Sequence, residues 1–430
     1  MEAIVAIIIM VSALALIFTD KLNHTIAALG GAAAMIIAGI VLGFYNQEQA
    51  IEAIEFEALG LLVGMMILVA ILHPTGFFQY IAVKAGHLSR GKPWRLVLLL
   101  GLGTAAVSLV FNNVTTVVLV GPITILISEI LGINPIPILM AQALLSDTAD
   151  VGTSVGDPAS VLVASASGYS FTDFLTHAMP IVLVAVMVTL IMLRFSFTKE
   201  LSKGPANPDL VMTLDADEAL QDRKTTRRVL IVLFVAIILF LFQKPLQIST
   251  ELIALSAAAV ALVWVRPNVS DVLQRVDWPV LFFFLGLFVM VGGLEAAGVF
   301  EPVADSLAGI GRTNPRLLGI IVIWVVAGLS ALLDNVPVTI AMISLLFSLQ
   351  AEGVNVSALW WAVVFGAGFG GNATSIGSGA NILIVSLSRK THTPITSRLW
   401  SRVGLPIAIA TCAVGSILFY IFYPWLEIGP

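Results

Sequence analysis

Long runs of apolar residues alternate with short polar segments along this chain of 430 residues. Each run is near the roughly 17–25 residues that a helix needs to cross a bilayer. The pattern therefore predicts an all-α polytopic membrane protein. Composition agrees, because 59% of the residues are hydrophobic, only 11% are charged and the mean hydropathy is +1.03. The predicted spans lie near 2–19, 25–45, 58–73, 175–193, 229–243, 249–265 and 278–297, with a last one ending at Tyr423.

One apolar region is interrupted by the segment SDTADVGTSVGDPAS at residues 146–160. Its acids, Asp147, Asp150 and Asp157, would each cost roughly 2.5–3.5 kcal/mol if ionised at the centre of a spanning helix. Gly152, Gly156 and Pro158 in the same segment disfavour a continuous helix. The segment predicts two half-helices joined by unwound backbone at the membrane midplane, a typical place for an ion or substrate site. A surface loop between two spans is the alternative.

A second copy of this segment, FGGNATSIGSGANIL, occupies residues 369–383. Further markers repeat at a spacing of 222, among them Asn113 with Asn335 and Gly64 with Gly286. Repeated halves in an apolar chain are typical of secondary transporters whose site lies between the repeats. The four residues Thr153, Ser154, Gly156 and Ala159 recur 221 positions later as Thr374, Ser375, Gly377 and Ala380.

A polar tip, Asn112 to Thr116, separates two apolar arms that run from Trp94 to Leu131. Either both arms cross the membrane and the tip is a surface turn, or the arms form a re-entrant hairpin that brings the tip to the midplane. The second copy, from Leu317 to Leu349, has the acid Asp334 at its tip. An intramembrane acid favours the re-entrant hairpin.

The distribution of charge between loops predicts the orientation of the repeats. The loop at 46–57 carries four glutamates and no base, whereas the loop at 84–95 carries four bases, so we expect the first outside and the second in the cytoplasm. Following the spans, the first repeat (1–195) and the second (229–430) have opposite orientations in the membrane. The prediction is two inverted repeats with about ten transmembrane helices plus two re-entrant hairpins, and both termini outside.

The polar segment 196–228 is predicted to be a cytoplasmic linker between the repeats, because it is rich in lysine and arginine. Its middle part, 209–222, is acidic. That part would form a short exposed helix, either merely solvated or a docking surface for a soluble partner.

Broken helices and hairpin tips from inverted repeats would converge on one cavity. By the span assignment no lysine or arginine lies in this set, which suits cations, protons or a neutral polyhydroxylated solute better than a carboxylate. The single Cys412 excludes a multi-thiolate metal site, and we expect no metal or other cofactor and no nucleic-acid partner. The predicted substrate-binding residues are Asn112, Asn113, Thr115, Thr116, Thr153, Ser154, Asn335, Asn372, Thr374, Ser375, Ser378 and Asn381, and the predicted proton-coupling residues are Asp147, Asp150, Asp157 and Asp334.

Nearly the whole chain resembles the ion transporter superfamily, in the branch of the arsenical pump membrane proteins (ArsB) and the melanosomal P protein. The resemblance is carried by FEALGLLVGMMILVAI, TGFFQYIAVKA, NNVTTVVL, GPITI and GDPASVLVASASGYSFTDF. Relatives in this branch have DNVTT at the first tip and GDPPN at the helix break, where this chain has Asn112 and Ala159-Ser160, while Asp334 keeps the acid of the second tip. The related dicarboxylate transporters carry Ser-Asn-Thr at their tips, which neither hairpin has.

The resemblance implies a secondary transporter and not an enzyme, located in the inner (plasma) membrane. It implies export of arsenite or antimonite driven by inward proton movement, with an optional soluble ATPase at the cytoplasmic side. Trivalent arsenic in neutral water is chiefly a small uncharged trihydroxide, which amides and hydroxyls can recognise without thiolates. Asp150 or Asp147 would alternate between protonated and ionised forms, whereas Asp157 and Asp334 would either do the same or cap half-helices.

Three other functions stay open on the sequence. A sodium/proton antiporter of the same superfamily would use the same acids, and another anion transporter of the superfamily would share the architecture. A membrane receptor that does not transport is the remaining alternative.

Overall fold

The computed structural model describes residues 1–18, 22–202 and 215–427, and within these ranges all regular secondary structure is helical. The predicted all-α class is confirmed. The first repeat contains nine main helices: α1 (Glu2–Phe18), α2 (His24–Leu42), α3 (Phe56–Leu72), α4 (Phe77–Ser89), α5 (Pro93–Ser108), α6 (Asn113–Leu131), α7 (Ile136–Ala149), α8 (Pro158–Ser167) and α9 (Phe171–Ser196), the last with a π-helical turn at Phe174–Ala178.

The second repeat has the same order of nine main helices. Each helix of the first repeat therefore corresponds to the helix whose label is higher by nine, so that α1 corresponds to α10. Two α-helices of six residues, Gln47–Glu52 and Val269–Gln274, also correspond between the repeats. The main helices are α10 (Arg223–Leu241), α11 (Thr250–Val265), α12 (Trp278–Ala296), α13 (Glu301–Thr313), α14 (Pro315–Leu333), α15 (Asn335–Ala351), α16 (Ser357–Gly371), α17 (Gly379–Ser388) and α18 (Ser397–Ile421).

Within the described ranges, seven helices are long and apolar enough to cross a membrane. A further seven apolar helices have 10–17 residues, and they include hairpin arms and the halves of broken helices. Two amphipathic helices, α4 and α13, were not predicted, since their sequences resemble polar loops. In the predicted linker, α10 already begins at Arg223 because Asp222 caps it by accepting a hydrogen bond from Thr225.

Four helices pack in reciprocal pairs that join the repeats: α2 packs on α12, and its counterpart α11 packs on α3. Glycines permit both crossings. A Cβ on Gly286 would lie 2.7 Å from the backbone of Ala28, and a Cβ on Gly64 would lie 2.6 Å from the backbone of Ala254. With α1 and α10 on their flanks, these helices form the first bundle.

The second bundle contains the hairpins and the broken helices. In each repeat the first hairpin arm packs on the first half-helix, α5 on α7 and α14 on α16. The second half-helix of each repeat then packs on the opposite hairpin, α8 on α15 and α17 on α6. The pairing is again reciprocal, so the two repeats are related by an approximate two-fold axis that passes through the helix breaks.

Contacts between loops place them on two opposite faces. Thr393 contacts Asn134 and Arg228 contacts Trp264 on one face, whereas Tyr169 contacts Ser357 on the other. We call the first face, which carries Arg266 and Arg275, the basic face. Each repeat has five full crossings (α1, α2, α3, α7 with α8, and α9) plus one hairpin. An odd number of crossings inverts the second repeat, as predicted.

The assignment of the basic face to the cytoplasm, and of both termini to the outside, is a prediction from the charges. On this face the described end of the linker includes the short helix Ala216–Ala219, which packs on α4. Residues 209–214 of the predicted docking segment lie outside the described residues.

Candidate functional site

Both broken helices unwind near the middle of the second bundle. In the first repeat, α7 passes into a 3₁₀ turn at Asp150–Gly152 and an extended Thr153, and α8 begins at Pro158. Asp157 caps α8, since its Oδ2 accepts hydrogen bonds from the backbone of Ala159 at 3.1 Å and of Ser160 at 3.4 Å. A carboxylate at a helix N-terminus is stabilised by the unpaired amides and the helix dipole.

In the second repeat Ser378 occupies the same place, 221 positions after Asp157. Its Oγ accepts a hydrogen bond from Ala380 at 3.3 Å and donates one to Asp147 Oδ1 at 3.0 Å. The tip of the first hairpin adds a second donor to the same oxygen, because Asn113 Nδ2 lies 2.8 Å from Asp147 Oδ1. The carboxylate of Asp147 thus joins a hairpin and a broken helix from different repeats.

The tip of the second hairpin meets the other carboxylate. Asn335 Nδ2 donates to Asp157 Oδ1 at 2.8 Å. Next to it, Asp334 has a φ of +77° and accepts a hydrogen bond from its neighbour Asn335 at 2.7 Å. A positive φ is uncommon outside glycine, asparagine and aspartate, so the acid residue suits this tight tip. Asp157 caps a half-helix, as anticipated from the sequence, whereas Asp334 caps α15, the second arm of the hairpin.

Two threonines predicted to bind substrate instead tie the helix breaks to the hairpins. Thr153 Oγ1 donates to the carbonyl of Leu109 at 2.6 Å, and Thr374 Oγ1 donates to that of Ala331 at 2.6 Å. These carbonyls end the first arm of each hairpin, where the helix itself offers no donor. The threonines therefore fix the position of the tips.

Asn372 and Asn381 also bond within the protein. Asn372 Nδ2 donates to Thr148 Oγ1 at 3.0 Å, and Asn381 Nδ2 donates to the carbonyl of Gly371 at 3.0 Å. Within the described residues their Oδ1 atoms are buried and have no hydrogen-bond partner. The same holds for Oδ2 of both Asp147 and Asp150. Buried acceptor oxygens without a donor are costly. The two carboxylate oxygens could take up a proton, and all four oxygens could contact a cation.

A cavity of about 520 Å³ extends from the hairpin tips to the first turns of α2 and α12 on the basic face. It brings together only part of the predicted set. The predicted residues that line it are Asn112, Asn113, Thr115, Asp157, Asp334, Asn335 and Ser378. The predicted residues that do not line it are Thr116, Asp147, Asp150, Thr153, Ser154, Asn372, Thr374, Ser375 and Asn381.

The wall opposite the tips belongs to the first bundle and was missed by sequence reasoning. It includes His24, Met66, Asp277, Phe283 and Phe284. The repeat could have indicated Asp277, because it lies 222 positions after Glu55, at the equivalent start of α12. Among the described residues that line the cavity there is no lysine or arginine.

The cavity is closed toward the opposite face. On that side α3 packs against α8, and α12 packs against α15. The equivalent pairs in the other repeat, α12 with α17 and α3 with α6, are separated by the cavity. Two carboxylates of the first bundle strengthen the closed side: Glu55 accepts a hydrogen bond from Ser165 at 3.0 Å, and Glu295 accepts one from Ser344 at 2.9 Å. The structure therefore gives access to the tips from the basic face.

The sequence of this chain matches a known protein family over most of its length. Residues 14–366 match the CitMHS family, described as "Citrate transporter". The chain belongs to the CitMHS family. This membership confirms the resemblance to the ion transporter superfamily, and it makes the chain a membrane transporter.

Similar chains include the "46 kDa membrane protein" of Mycobacterium leprae (strain TN), which is 33% identical over 427 residues, a match that covers 98% of this chain and 99% of that protein. An "uncharacterized transporter" of Mycobacterium tuberculosis (strain CDC 1551 / Oshkosh) is 35% identical with the same coverage. The P protein of Homo sapiens is 28% identical over 497 residues, which span 96% of this chain and 59% of the P protein.

Among solved structures, the YdaH transporter of Alcanivorax borkumensis, described as having an unusual topology, is similar to this CitMHS chain. The TM-score is 0.62, with 13% sequence identity, and the match covers 95% of this chain and 100% of that one. At this identity the likeness concerns the fold alone.

Proposed function

We propose that this transporter exports a small uncharged hydroxide of trivalent arsenic or antimony in exchange for protons that move inward. The observation that carries the proposal is the chemistry of the cavity wall. It presents the carboxyls of Asp157, Asp277 and Asp334 beside side-chain amides from both hairpin tips, and none of its described residues is a lysine or arginine.

Such a wall disfavours a carboxylate as cargo. Citrate, for which the family is described, carries up to three negative charges near neutral pH. In this cavity it would face Asp157 and Asp334 with no lysine or arginine among the lining residues to offset the repulsion. A neutral trihydroxide offers three O–H donors and three acceptor oxygens, which match the mixed amides and carboxyls of Asn113, Asn335 and Asp157.

The hydrogen bonds at the hairpin tips support coupling to protons. Asp147 as a carboxylate accepts two hydrogen bonds, from Asn113 and Ser378. A protonated carboxyl carries its own O–H donor and is a weaker acceptor, so proton uptake would loosen the hairpin tip from the broken helix. Asp157 and Asn335 form the matching contact on the cavity wall. Protonation would then accompany the change in the direction in which the cavity opens.

The membrane potential makes this exchange energetically useful. One proton moved inward for each neutral solute carries one charge, worth about 2.3 kcal/mol per 100 mV. Since about 1.4 kcal/mol corresponds to a tenfold ratio, this potential sustains a solute gradient on the order of 40-fold. A soluble ATPase at the cytoplasmic side, implied by the resemblance, would raise that limit.

Sodium/proton exchange is the second candidate. It is favoured by the buried acceptor oxygens at the helix breaks, Oδ2 of Asp147 and of Asp150, which have no partner among the described residues. Carboxylate and amide oxygens suit hard cations.

Arsenite accumulation in everted membrane vesicles tests the proposal. We expect accumulation that depends on an imposed proton gradient and stops when an ionophore collapses it. Parallel vesicles receive radiolabelled citrate or a sodium gradient with a pH-sensitive dye. Sodium-dependent proton movement without arsenite uptake would favour sodium/proton exchange. Gradient-driven citrate transport would contradict the conclusion that the acidic cavity wall disfavours a carboxylate substrate.

A further inference from the structure

A second cleft lies on the outer surface of the first bundle, between α10 and α11 at the basic face, away from the hairpin tips. Its volume is about 740 Å³, and it is lined by Arg228, Arg266, Trp264 and the aliphatic residues before them on α11. Val263 is 73% exposed and Val260 is 54% exposed. In a chain that spans the membrane, such a wall faces the lipid chains.

Contacts with Trp264 hold the guanidinium group of Arg228 at one end of this wall. Arg228 lies in the second turn of α10, its Nη1 donates to the carbonyl of Trp264 at 3.0 Å, and its Cζ lies 5.8 Å from the centre of the indole ring. A guanidinium has five N–H donors, so one bond to a carbonyl leaves several for another acceptor. Indole rings also prefer the level of the lipid headgroups.

Arg266 provides a second positive charge. It ends α11 in a left-handed conformation, with a φ of 57°, and its backbone N–H donates to Leu262. Among the described residues its side chain forms no ion pair. The cleft therefore has two arginines at one end and an apolar, lipid-facing wall along α11.

Two acids, Asp222 and Asp271, line a neighbouring pocket together with Arg266, and among the described residues neither forms an ion pair with Arg228 or Arg266. Asp222 is close enough to Arg228 to be affected by its charge, but its carboxylate already accepts a hydrogen bond from the backbone of Thr225. That bond first, and the charge of Arg228 to a lesser degree, lower the pKa of Asp222. Asp217 is paired with Arg223 at 2.6 Å. Both guanidinium groups therefore stay open to the phosphate of a lipid.

We propose that this cleft binds an anionic phospholipid. The lipid phosphate lies between the guanidinium groups of Arg228 and Arg266, and an acyl chain follows Val263 and Val260. Basic residues near the membrane surface attract anionic headgroups, and a guanidinium can donate two parallel hydrogen bonds to a phosphate. The site is independent of the transport proposed above.

An alternative explanation is that anionic lipids are attracted by the general enrichment of basic residues on a cytoplasmic face. In that case every arginine on the face would contribute weakly and equally to lipid binding. The chain offers a matched control for that explanation. Arg194 lies on the same face, with its Cζ 5.1 Å from the ring of Trp94, and it lines no part of this cleft. A specific site predicts that Arg228 and Arg266 matter for lipid binding and Arg194 does not.

Native mass spectrometry of the purified full chain measures this directly, by titration with phosphatidylglycerol or with phosphatidylcholine of the same acyl chains. We expect tighter binding of phosphatidylglycerol to the wild type. The affinity should fall about fivefold for each arginine replaced in Arg228→Gln and Arg266→Gln, and stay unchanged in Arg194→Gln. Arg228→Lys and Arg266→Lys keep the charge and should retain most of the affinity.

Several outcomes would overturn the lipid site: no preference for the anionic lipid in the wild type, an equal loss in Arg194→Gln, or unchanged binding in Arg266→Gln. Glycerol 3-phosphate, added as a soluble competitor at the lipid concentration, should not displace the lipid, because it lacks the acyl chains. Full displacement would show a phosphate site instead. If Arg228→Gln fails to fold, Arg266→Gln alone decides, since its side chain makes no hydrogen bond within the described residues.

Discussion

Asn335 at the second hairpin tip donates its side-chain amide to Asp157 of the first broken helix at 2.8 Å. Asn113, 222 positions earlier at the equivalent tip, donates to Asp147 at 2.8 Å. The two tips are equivalent, yet both carboxylates belong to the first repeat. The equivalent of Asp157 in the second repeat is Ser378, which is uncharged and itself bonds to Asp147. The backbones of the two repeats are thus symmetric, but the carboxylates bound by the two tips both lie in the first repeat.

Removing the amide of Asn335 should destabilise the protein. In Asn335→Ala, the buried carboxylate of Asp157 loses a donor, and a hydrogen bond to a charged group contributes about 1.5–3 kcal/mol. We expect a lower melting temperature in detergent, together with slower transport. The reference variant is Asn314→Ala, which removes an exposed capping side chain of α14 far from the tips. Equal melting of Asn335→Ala and the wild type would contradict the importance of the contact.

The equivalent threonines at the helix breaks should act on structure and not on cargo affinity. Thr153→Val and Thr374→Val keep the shape of the side chain but remove the donors to Leu109 and Ala331. Hydrogen bonds between membrane helices contribute about 0.6 kcal/mol on average and at most about 1.7 kcal/mol. We expect lower stability with an unchanged KM for the transported solute. A raised KM without loss of stability would instead support the predicted role of the two threonines as substrate ligands.

The helix breaks and hairpin tips were predictable because their chemistry contradicts the apolar surroundings. Asp157 and Asp334 are costly inside a membrane unless they are used, and the spacing of 222 showed that the pattern is repeated. The roles of individual side chains were not predictable, because the irregular backbone at a helix break has no sequence period from which the direction of a side chain could be inferred. Thr153 and Asn381 were expected to face the cavity and instead bond to backbone carbonyls.

The opposite wall of the cavity could not be read from the sequence for another reason. His24, Phe283 and Phe284 lie in ordinary apolar spans, and only the packing of α2 on α12 brings them to the tips. Amphipathic helices α4 and α13 were missed because their polar residues were interpreted as loops. Residue pairs at the spacing of 222, such as Glu55 and Asp277, indicate which residues occupy equivalent places in the two repeats better than either segment does alone.

The crossing of α2 and α12 should not tolerate a methyl group. In Gly286→Ala the new Cβ would lie 2.7 Å from the backbone of Ala28, so the helices must separate. Overpacking of this kind costs about 1–3 kcal/mol. Gly328→Ala on α14 is the matched control, because no atom lies within 4 Å of its Cβ position. We expect a clear drop in melting temperature for the first variant and none for the second.

Access to the cavity should come from the basic face in the state described. Val280 lines the cavity, whereas Ala58, 222 positions earlier at the equivalent place, is buried on the closed side. In a Cys412→Ser background, Val280→Cys should react with a membrane-impermeant thiol reagent added to the basic face. Ala58→Cys should react much more slowly from either face. Equal labelling of the two would contradict the closed side.

Proton movement during arsenite transport is the decisive measurement for proton-coupled export by this transporter. The measurement uses proteoliposomes with a trapped pH-sensitive dye, the wild type and the variants Asp147→Asn, Asp150→Asn, Asp157→Asn and Asp334→Asn. We expect arsenite-dependent proton movement in the wild type and at least about a tenfold loss in one or more variants, a change of about 1.4 kcal/mol. Normal coupling in all four variants, or no arsenite-dependent proton movement in the wild type, would contradict this expectation.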